Sequence, residues 1–373
     1  MNPVPFLSLR EQTLALKKEL LAAIEGVIDS QGFANGPAVA KFEEELATFL
    51  GVKHVVAVNS GTTSLQAALI CAGVAPGDEV ITVAHTWIST AWAISYVNAR
   101  PVFCEIERAT CGMDPEDLAR RITSKTKAIV PVHLYGQPVD LDPILEVAGA
   151  HGIPVVEDCA QSIGALYRGR QTGTFGLVNA TSFYPGKNLG ALGEGGAVMT
   201  NDDGVAARLK RLRDHAQAGR HNHVEIGFNW RMDGFQGAAL SVKLKHLARW
   251  NSRRQEIAAQ YRAGLSALAA RGLTLLPENE WSAPIWHIFP VFHAKRDELR
   301  ASLEAKGVQT GVHYPRPVHL QPAYAYLGLQ AGALPVTELA ASTEVSLPMF
   351  PELGDDAVRY VIEQVTATCD ELS

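Results

Sequence analysis

One lysine in the chain sits where it has nothing obvious to pack against. Lys187 lies in Ser182-Phe183-Tyr184-Pro185-Gly186-Lys187-Asn188-Leu189-Gly190-Ala191-Leu192-Gly193-Glu194-Gly195-Gly196, a loop holding five glycines. Glycine neighbours let another group approach closely, so the amine can serve as a nucleophile or a base. A P-loop is excluded, because Thr181 stands where its first glycine belongs and Asn188 follows the lysine instead of Ser or Thr. A second candidate is Asp158 in Val155-Val156-Glu157-Asp158-Cys159-Ala160-Gln161-Ser162, where carboxylates end an apolar run. A carboxylate there suits a metal, a ribose or a cationic ring nitrogen, and metal is the weaker option because no histidine stands nearby at ligand spacing. The third is Val58-Asn59-Ser60-Gly61-Thr62-Thr63, where an apolar run enters a helix through small hydroxyl residues. Free N–H groups and the positive end of the helix dipole at such a start suit a phosphate, although an ordinary N-cap reads the same way.

Jointly, a phosphate cup, a strand-end aspartate and a glycine-framed lysine match the needs of pyridoxal 5'-phosphate. That molecule offers a phosphate, a ring nitrogen best kept protonated by a carboxylate, and an aldehyde that condenses with an amine. The lysine then acts again as the base that moves a proton between substrate carbon and cofactor. The sequence contains no G-x-G-x-x-G, G-x-S-x-G or H-E-x-x-H, which argues against a nicotinamide dehydrogenase, a serine hydrolase and a zinc peptidase.

These residues need a scaffold, and the pattern supplies an α/β one. Apolar spacing predicts helices over 11–29, stopping at Gly32, and after Pro37. Short apolar runs then alternate with helix-length segments: His54–Val58, Glu79–Val83, Val102–Ile106, Ala128–His133, Pro154–Glu157, Thr181–Tyr184 and Gly196–Thr200. Their continuity predicts a mostly parallel sheet of seven strands flanked by helices and buried on both faces. Helices are expected over about 202–218 and 233–270. Beyond these, strands at Leu273–Leu276, Trp286–Phe292 and Val308–His313, with a helix at Arg296–Lys306, read as a smaller α+β domain. The expected division is 1–250 for the large domain and 251–373 for the small one. Arg249, Arg253, Arg254 and Glu256 read as a helix surface, Trp230, Trp250, Trp281 and Trp286 as core or interface anchors, and His215, His221 and His223 as a solvated loop.

The 373 residues are 47% apolar, with 33 Lys and Arg against 39 Asp and Glu, so nucleic acid and anionic membrane are not expected partners. Five scattered cysteines without a C-x-x-C pair, and no apolar stretch in a charged N-terminal segment, lead us to expect a soluble cytoplasmic protein.

The runs Asn59-Ser60-Gly61-Thr62, Pro131-Val132-His133-Leu134-Tyr135-Gly136-Gln137, Glu157-Asp158-Cys159-Ala160-Gln161 and Ser182 to Gly190 resemble the DegT/DnrJ/EryC1/StrS family. That family comprises fold-type I pyridoxal-phosphate enzymes, mostly nucleotide-sugar aminotransferases, and the likeness extends from Val4 to Met349. The resemblance implies Lys187 as the lysine that condenses with the cofactor, Asp158 as partner of the pyridine nitrogen and Gln161 as donor to the ring hydroxyl. It implies Trp87 stacked on the ring face, with Ser182, Gly61 and Thr62 on the phosphate. Asn229 matches a position that reaches the phosphate of a neighbouring subunit, so a homodimer with shared active sites is implied. Cys159 replaces a usual alanine and Glu194 a common aspartate, neither at an assigned role. A few members carry histidine in place of the lysine and act as dehydratases, so the retained Lys187 favours transamination.

The stretch from Gly311 to Tyr324 is similar to that of enzymes aminating the 3-keto position of nucleotide-linked deoxysugars, which implies that His313, Tyr314 and Tyr184 face the hexose. The expected reaction moves an amino group from L-glutamate to a nucleotide-linked 3-keto-6-deoxyhexose. A 4-keto sugar, a keto-inositol (cyclitol) acceptor and a non-catalytic pyridoxal-phosphate-binding regulator are the alternatives.

Overall fold

The computed structural model describes residues 3–373, so the first two residues of the 1–250 assignment lie outside the description. Helices Arg10–Ser30 and Gly36–Leu50 form where the apolar spacing places them. Both pack on a 32-residue helix, Gly234–Leu265. Two glycines permit that approach: a Cβ on Gly234 would lie 2.0 Å from the Gly32 carbonyl oxygen, and one on Gly237 would lie 2.9 Å from Val39 Cα. Any side chain at either position would force the helices apart.

The main sheet is built from two three-stranded ladders and a bridging segment. Arg100–Cys104, Glu79–Val83 and Thr126–Val130 pair in parallel in that order. Asn179–Ser182, Gly196–Thr200 and His54–Val58 form the second ladder, with Gly196–Thr200 antiparallel to both neighbours. Residues 155–158 join the ladders through parallel bridges Ile129 to Val155, Val132 to Asp158 and Asp158 to Ala180. The result is the expected mostly parallel seven-stranded arrangement, Gly196–Thr200 alone running the other way. Side chains alternate between two buried faces: Val56, Val58 and Val198 enter one cluster, Val55, Ala57, Ala197 and Met199 another.

Several boundaries differ from expectation for physical reasons. Three strands begin two residues earlier than predicted, because backbone pairing already starts at Arg100 and Thr126, both opposite Glu79, and at Asn179 opposite Met199. Pro154–Glu157 is not a continuous strand: the Asn179 side chain takes the Glu157 N–H at 3.1 Å, which interrupts the ladder. The helix expected over 202–218 stops at Leu212, and the chain beyond it pairs with 223–229.

Towards the C-terminus, Glu344–Leu347, Phe289–Phe292 and Thr274–Leu275 form an antiparallel sheet. The expected strand Val308–His313 splits between two partners, Val308 bridging to Val4 and Gly311 to Ser346. Trp286–Phe292 is a strand only from Phe289, because the backbone of Ile285 and Ile288 bonds instead to Gly136 and Tyr135. Position 250 falls inside the unbroken long helix: Trp250 packs with Leu16 and Leu20, while Ile257, Tyr261 and Leu265 belong to the C-terminal core. Val4 joins that C-terminal core. Arg254 is buried, contrary to the surface reading, and its guanidinium donates to the carbonyls of Trp286, His287 and Met349. Among the described residues no helix is long and apolar enough to cross a membrane.

Candidate active site

A cavity of ≈ 570 Å³ opens at the C-terminal ends of the parallel strands, where an open α/β sheet places ligands. Its floor carries Lys187 and Asp158. Lys187 is held by its backbone N–H, which bonds the Tyr184 carbonyl at 2.8 Å. The tight loop depends on Gly190, where a Cβ would lie 2.2 Å from the Pro185 carbonyl oxygen. Burial pulls the Lys187 ammonium down to about 8, against the opposing pull of Asp158. The amine is therefore unprotonated and nucleophilic at a lower pH than an ordinary lysine's.

Asp158 accepts from the Ala160 N–H at 3.1 Å and from the Thr90 hydroxyl at 2.8 Å. Burial lifts its carboxyl above the ordinary value, opposed by those two hydrogen bonds and by Lys187. Beside it, Gln161 Oε1 accepts from the Tyr135 N–H at 2.7 Å, which fixes the amide so that Nε2 faces the cavity and donates to the Tyr314 hydroxyl at 3.3 Å.

The wall opposite is the start of helix Gly61–Cys71. Ser60 caps it by accepting from the Thr63 N–H, leaving the first-turn N–H groups of Gly61 and Thr62 directed outward. Gly61 has to be glycine: a Cβ there would lie 2.5 Å from Ser182 Cβ. The Thr62 hydroxyl donates to Ser89 at 2.8 Å. Small groups, N–H donors and hydroxyls thus converge in an anion cup at a helix N-terminus.

Trp87, Tyr184, His313 and Tyr314 complete the rim. Trp87 is 54% exposed and packs on Tyr314 with ring centroids 5.3 Å apart. Of the expected site residues, only Asn229 is outside the cavity. It is exposed on the loop after the Asp203–Leu212 helix, where its side-chain oxygen accepts from Arg231 at 2.9 Å.

Three further groups at the site escaped the sequence reading. Thr90 reaches Asp158 from 68 residues away. His287 lines the cavity, its Nδ1 bonded to Asn188 Oδ1 at 3.1 Å, and burial followed by the Lys187 charge holds its imidazole far below the ordinary value. Glu344 and Ser346 stand behind His313. None has a local signal, because the fold alone brings them together.

His133, Glu157 and Cys159 cluster tightly enough to suggest a metal site. The geometry excludes it. His133 Nδ1 accepts from the Val139 N–H and its Nε2 faces Glu157 at 3.0 Å, while Glu157 also accepts from the N–H groups of Gly173, Phe175 and Gly176. His221 and His223 are exposed on the loop after the Asp203–Leu212 helix, while His215 is half-buried and its carbonyl bonds His223 Nδ1 at 2.8 Å.

The sequence pattern of the DegT/DnrJ/EryC1/StrS aminotransferase family matches residues 14–366. The chain is 44% identical over 363 residues to the dTDP-3-amino-3,4,6-trideoxy-alpha-D-glucose transaminase of Streptomyces venezuelae, covering 97% of this chain and 95% of that one. It is 42% identical over 362 residues to the pleiotropic regulatory protein of Geobacillus stearothermophilus, covering 97% of each. The solved structure of S. venezuelae DesV in complex with a ketimine intermediate superposes with a TM-score of 0.97, at 43% identity and 99% coverage of both chains. With this match following on a lysine, a carboxylate and an anion cup in one cavity, the chain belongs to the DegT/DnrJ/EryC1/StrS aminotransferase family.

Proposed function

We propose that this aminotransferase uses pyridoxal phosphate to move an amino group from L-glutamate to the ketone of a nucleotide-linked sugar, at position 3 of a 6-deoxyhexose. The observation that carries the reading is a desolvated lysine facing a buried aspartate, with the anion cup of Gly61, Thr62 and Ser182 in the same cavity. The cradle fits the cofactor's chemistry: the glycine forced by contact with Ser182 leaves room for a phosphate, and the aspartate offers lone pairs to a ring nitrogen. When bound, pyridoxal phosphate supplies an aldehyde for the amine and a ring that accepts the electrons of a substrate carbanion.

The chain's own residues then have distinct tasks. Lys187 would hold the aldehyde through its unprotonated amine and would carry the proton of the substrate carbon. Asp158, oriented by Thr90 and Ala160, keeps a proton on the ring nitrogen. Gln161 Nε2 would donate to the ring hydroxyl, and Trp87 would cover the ring face. Ser182 and the N–H groups of Gly61 and Thr62 hold the phosphate. Tyr184, His313 and Tyr314 face the sugar on the open side.

We further propose a homodimer in which Asn229 reaches the partner's cofactor phosphate. Supporting it, Asn229 is exposed and outside its own cavity, and Leu14, Leu21 and Ile28 form an exposed apolar stripe on the first helix. Residues 1–250 and 251–373 would serve as large and small domains joined through the long helix. The free cysteines suit a cytoplasmic location.

The position 3 assignment draws on the S. venezuelae relative, whose name specifies a 3-amino sugar. A panel of 3-keto and 4-keto nucleotide sugars and keto-inositols, with 15N-glutamate and NMR of the product, tests it: 15N at C3 of a nucleotide sugar is expected. Label at C4 or on a cyclitol would overturn the substrate assignment. One relative bears a regulatory name, and absence of any conversion of glutamate to 2-oxoglutarate would favour that reading.

A further inference from the structure

Behind the cavity wall, a short hydrogen-bond chain is used by none of the steps above. His313 Nδ1 lies 2.7 Å from Ser346 Oγ, and Ser346 donates its hydroxyl to Glu344 Oε1. The other Glu344 oxygen accepts the backbone N–H of His313 at 2.7 Å. Glu344 and Ser346 are fully buried on the strand Glu344–Leu347. His313 is held elsewhere too: the Tyr135 hydroxyl donates to its carbonyl at 3.0 Å, and its ring stacks on Phe6 with centroids 5.7 Å apart. Among the described residues, Nδ1 is the only ring nitrogen of His313 with a partner, and the residue lines the cavity.

Donor and acceptor counting then fixes the ring. An ionised carboxylate only accepts, so the Ser346 proton is committed to Glu344. Ser346 Oγ can therefore only accept from His313, which requires the imidazole proton to sit on Nδ1. We propose that the Glu344–Ser346 pair sets the tautomer of His313, so that a bare Nε2 lone pair faces the cavity and selects a hydroxyl donor on the substrate. Only the identity of that donor as a sugar hydroxyl rests on the proposed function. Glu344 and Ser346 are positioning residues that act through His313.

The ring stays neutral, since burial and then the Lys187 charge pull His313 down to about 4. Glu344 is the group that titrates: burial lifts it to about 7, against the hydrogen bonds of Ser346 and His313 and the charges of Arg296 and Arg300. Its other titratable neighbours, Tyr135, Tyr314 and Cys111, are all pushed upward and keep their protons. When Glu344 takes up one proton on Oε1, that proton is donated to Ser346, whose own hydroxyl turns to Nδ1. The His313 proton then moves through solvent from Nδ1 to Nε2, and the acceptor becomes a donor. The lone pair is thus present above the Glu344 value and lost below it.

The test is NMR of the purified, cofactor-loaded protein carrying ring-15N histidine, with His313 assigned by its absence from the His313→Asn variant. At pH ~8.5, where Glu344 is ionised, Nδ1 is expected at the shift of a protonated nitrogen and Nε2 at that of an unprotonated one. Glu344→Gln should exchange the two, because the buried His313 N–H claims the amide oxygen and leaves the amide NH₂ to donate to Ser346. Ser346→Ala should also yield the Nε2–H form, which a free imidazole prefers, and it covers the case in which the first variant fails to fold. A wild-type protein with its proton on Nε2, or variants that fold and leave the tautomer unchanged, would overturn the proposal. Since no substrate is added, failure of every sugar to turn over would count against the proposed function and leave this result standing.

Discussion

Glu157 and Asp158 are adjacent in sequence, both buried carboxylates at the end of one extended segment, and they do opposite work. Extended backbone sends neighbouring side chains to opposite sides. Glu157 points into the protein and meets His133 Nε2 at 3.0 Å with the N–H groups of Gly173, Phe175 and Gly176 at 2.8–2.9 Å. Burial alone would raise its carboxyl, but those donors outweigh it and hold the group below its ordinary value. Among the described residues Asp158 has only Thr90 and Ala160 as donors, its carboxyl is raised by burial, and it faces the cavity with Lys187. The lesson is that a buried carboxylate whose lone pairs are all used inside the fold is structural, while one left partly unmet beside a lysine is available for chemistry.

Breaking each side of this pair should separate activity from stability. Asp158→Asn is expected to lower kcat/KM for amino transfer by ~10²-fold or more, since it removes the charge proposed to stabilise the electron-accepting ring. Its folded carboxyl lies above the unfolded value, so the ionised group costs stability at neutral pH, and calorimetry should show a Tm unchanged or raised. Glu157→Gln should do the reverse, costing about 3 kcal/mol of stability while the surviving folded protein keeps its turnover. Because the folded Glu157 value is depressed, its stabilisation is present above the unfolded value and lost as pH falls through the folded one. Acid unfolding of Glu157→Gln should therefore be less steep than that of the wild type.

Smaller effects sharpen the contrast. Thr90→Val removes one hydrogen bond to Asp158 and should lower kcat about tenfold, readable in steady-state assays, with little change in Tm. The smallest concerns Lys187. Capture of added pyridoxal phosphate by cofactor-free protein should accelerate as pH rises through about 8, as the amine loses its proton. In Asp158→Asn that midpoint should move lower, because the opposing negative charge is gone, and stopped-flow absorbance across pH measures it. An unmoved midpoint would mean that the two groups do not share a field.

What the sequence disclosed were features encoded by neighbouring residues. Lys187 stood out because Gly186, Gly190 and Gly193 surround it, and Asp158 because an apolar run ends there. Short, continuous apolar runs made the sheet legible, including the strand His54–Val58 to the residue. Thr90, His287 and the Glu344–Ser346 pair were hidden because each joins the site through the tertiary fold. Arg254 was misread for a related reason: the long helix crosses from one core to another, so its buried face changes along its length and no single stripe marks it. Some strand ends were displaced where a side chain replaced a backbone partner, as Asn179 does at Glu157 and Glu344 does at His313, and others where a distant backbone segment did, as Gly136 does at Ile285.

The proposed amino transfer depends on Lys187 for both cofactor capture and proton transfer. A single-turnover reaction of the cofactor-loaded protein with L-glutamate, following 2-oxoglutarate release and loss of visible absorbance, tests it directly. The wild type is expected to release stoichiometric 2-oxoglutarate, and Lys187→Ala, loaded with the same cofactor, to release it at least ~10²-fold more slowly. Release from Lys187→Ala at the wild-type rate would contradict the account.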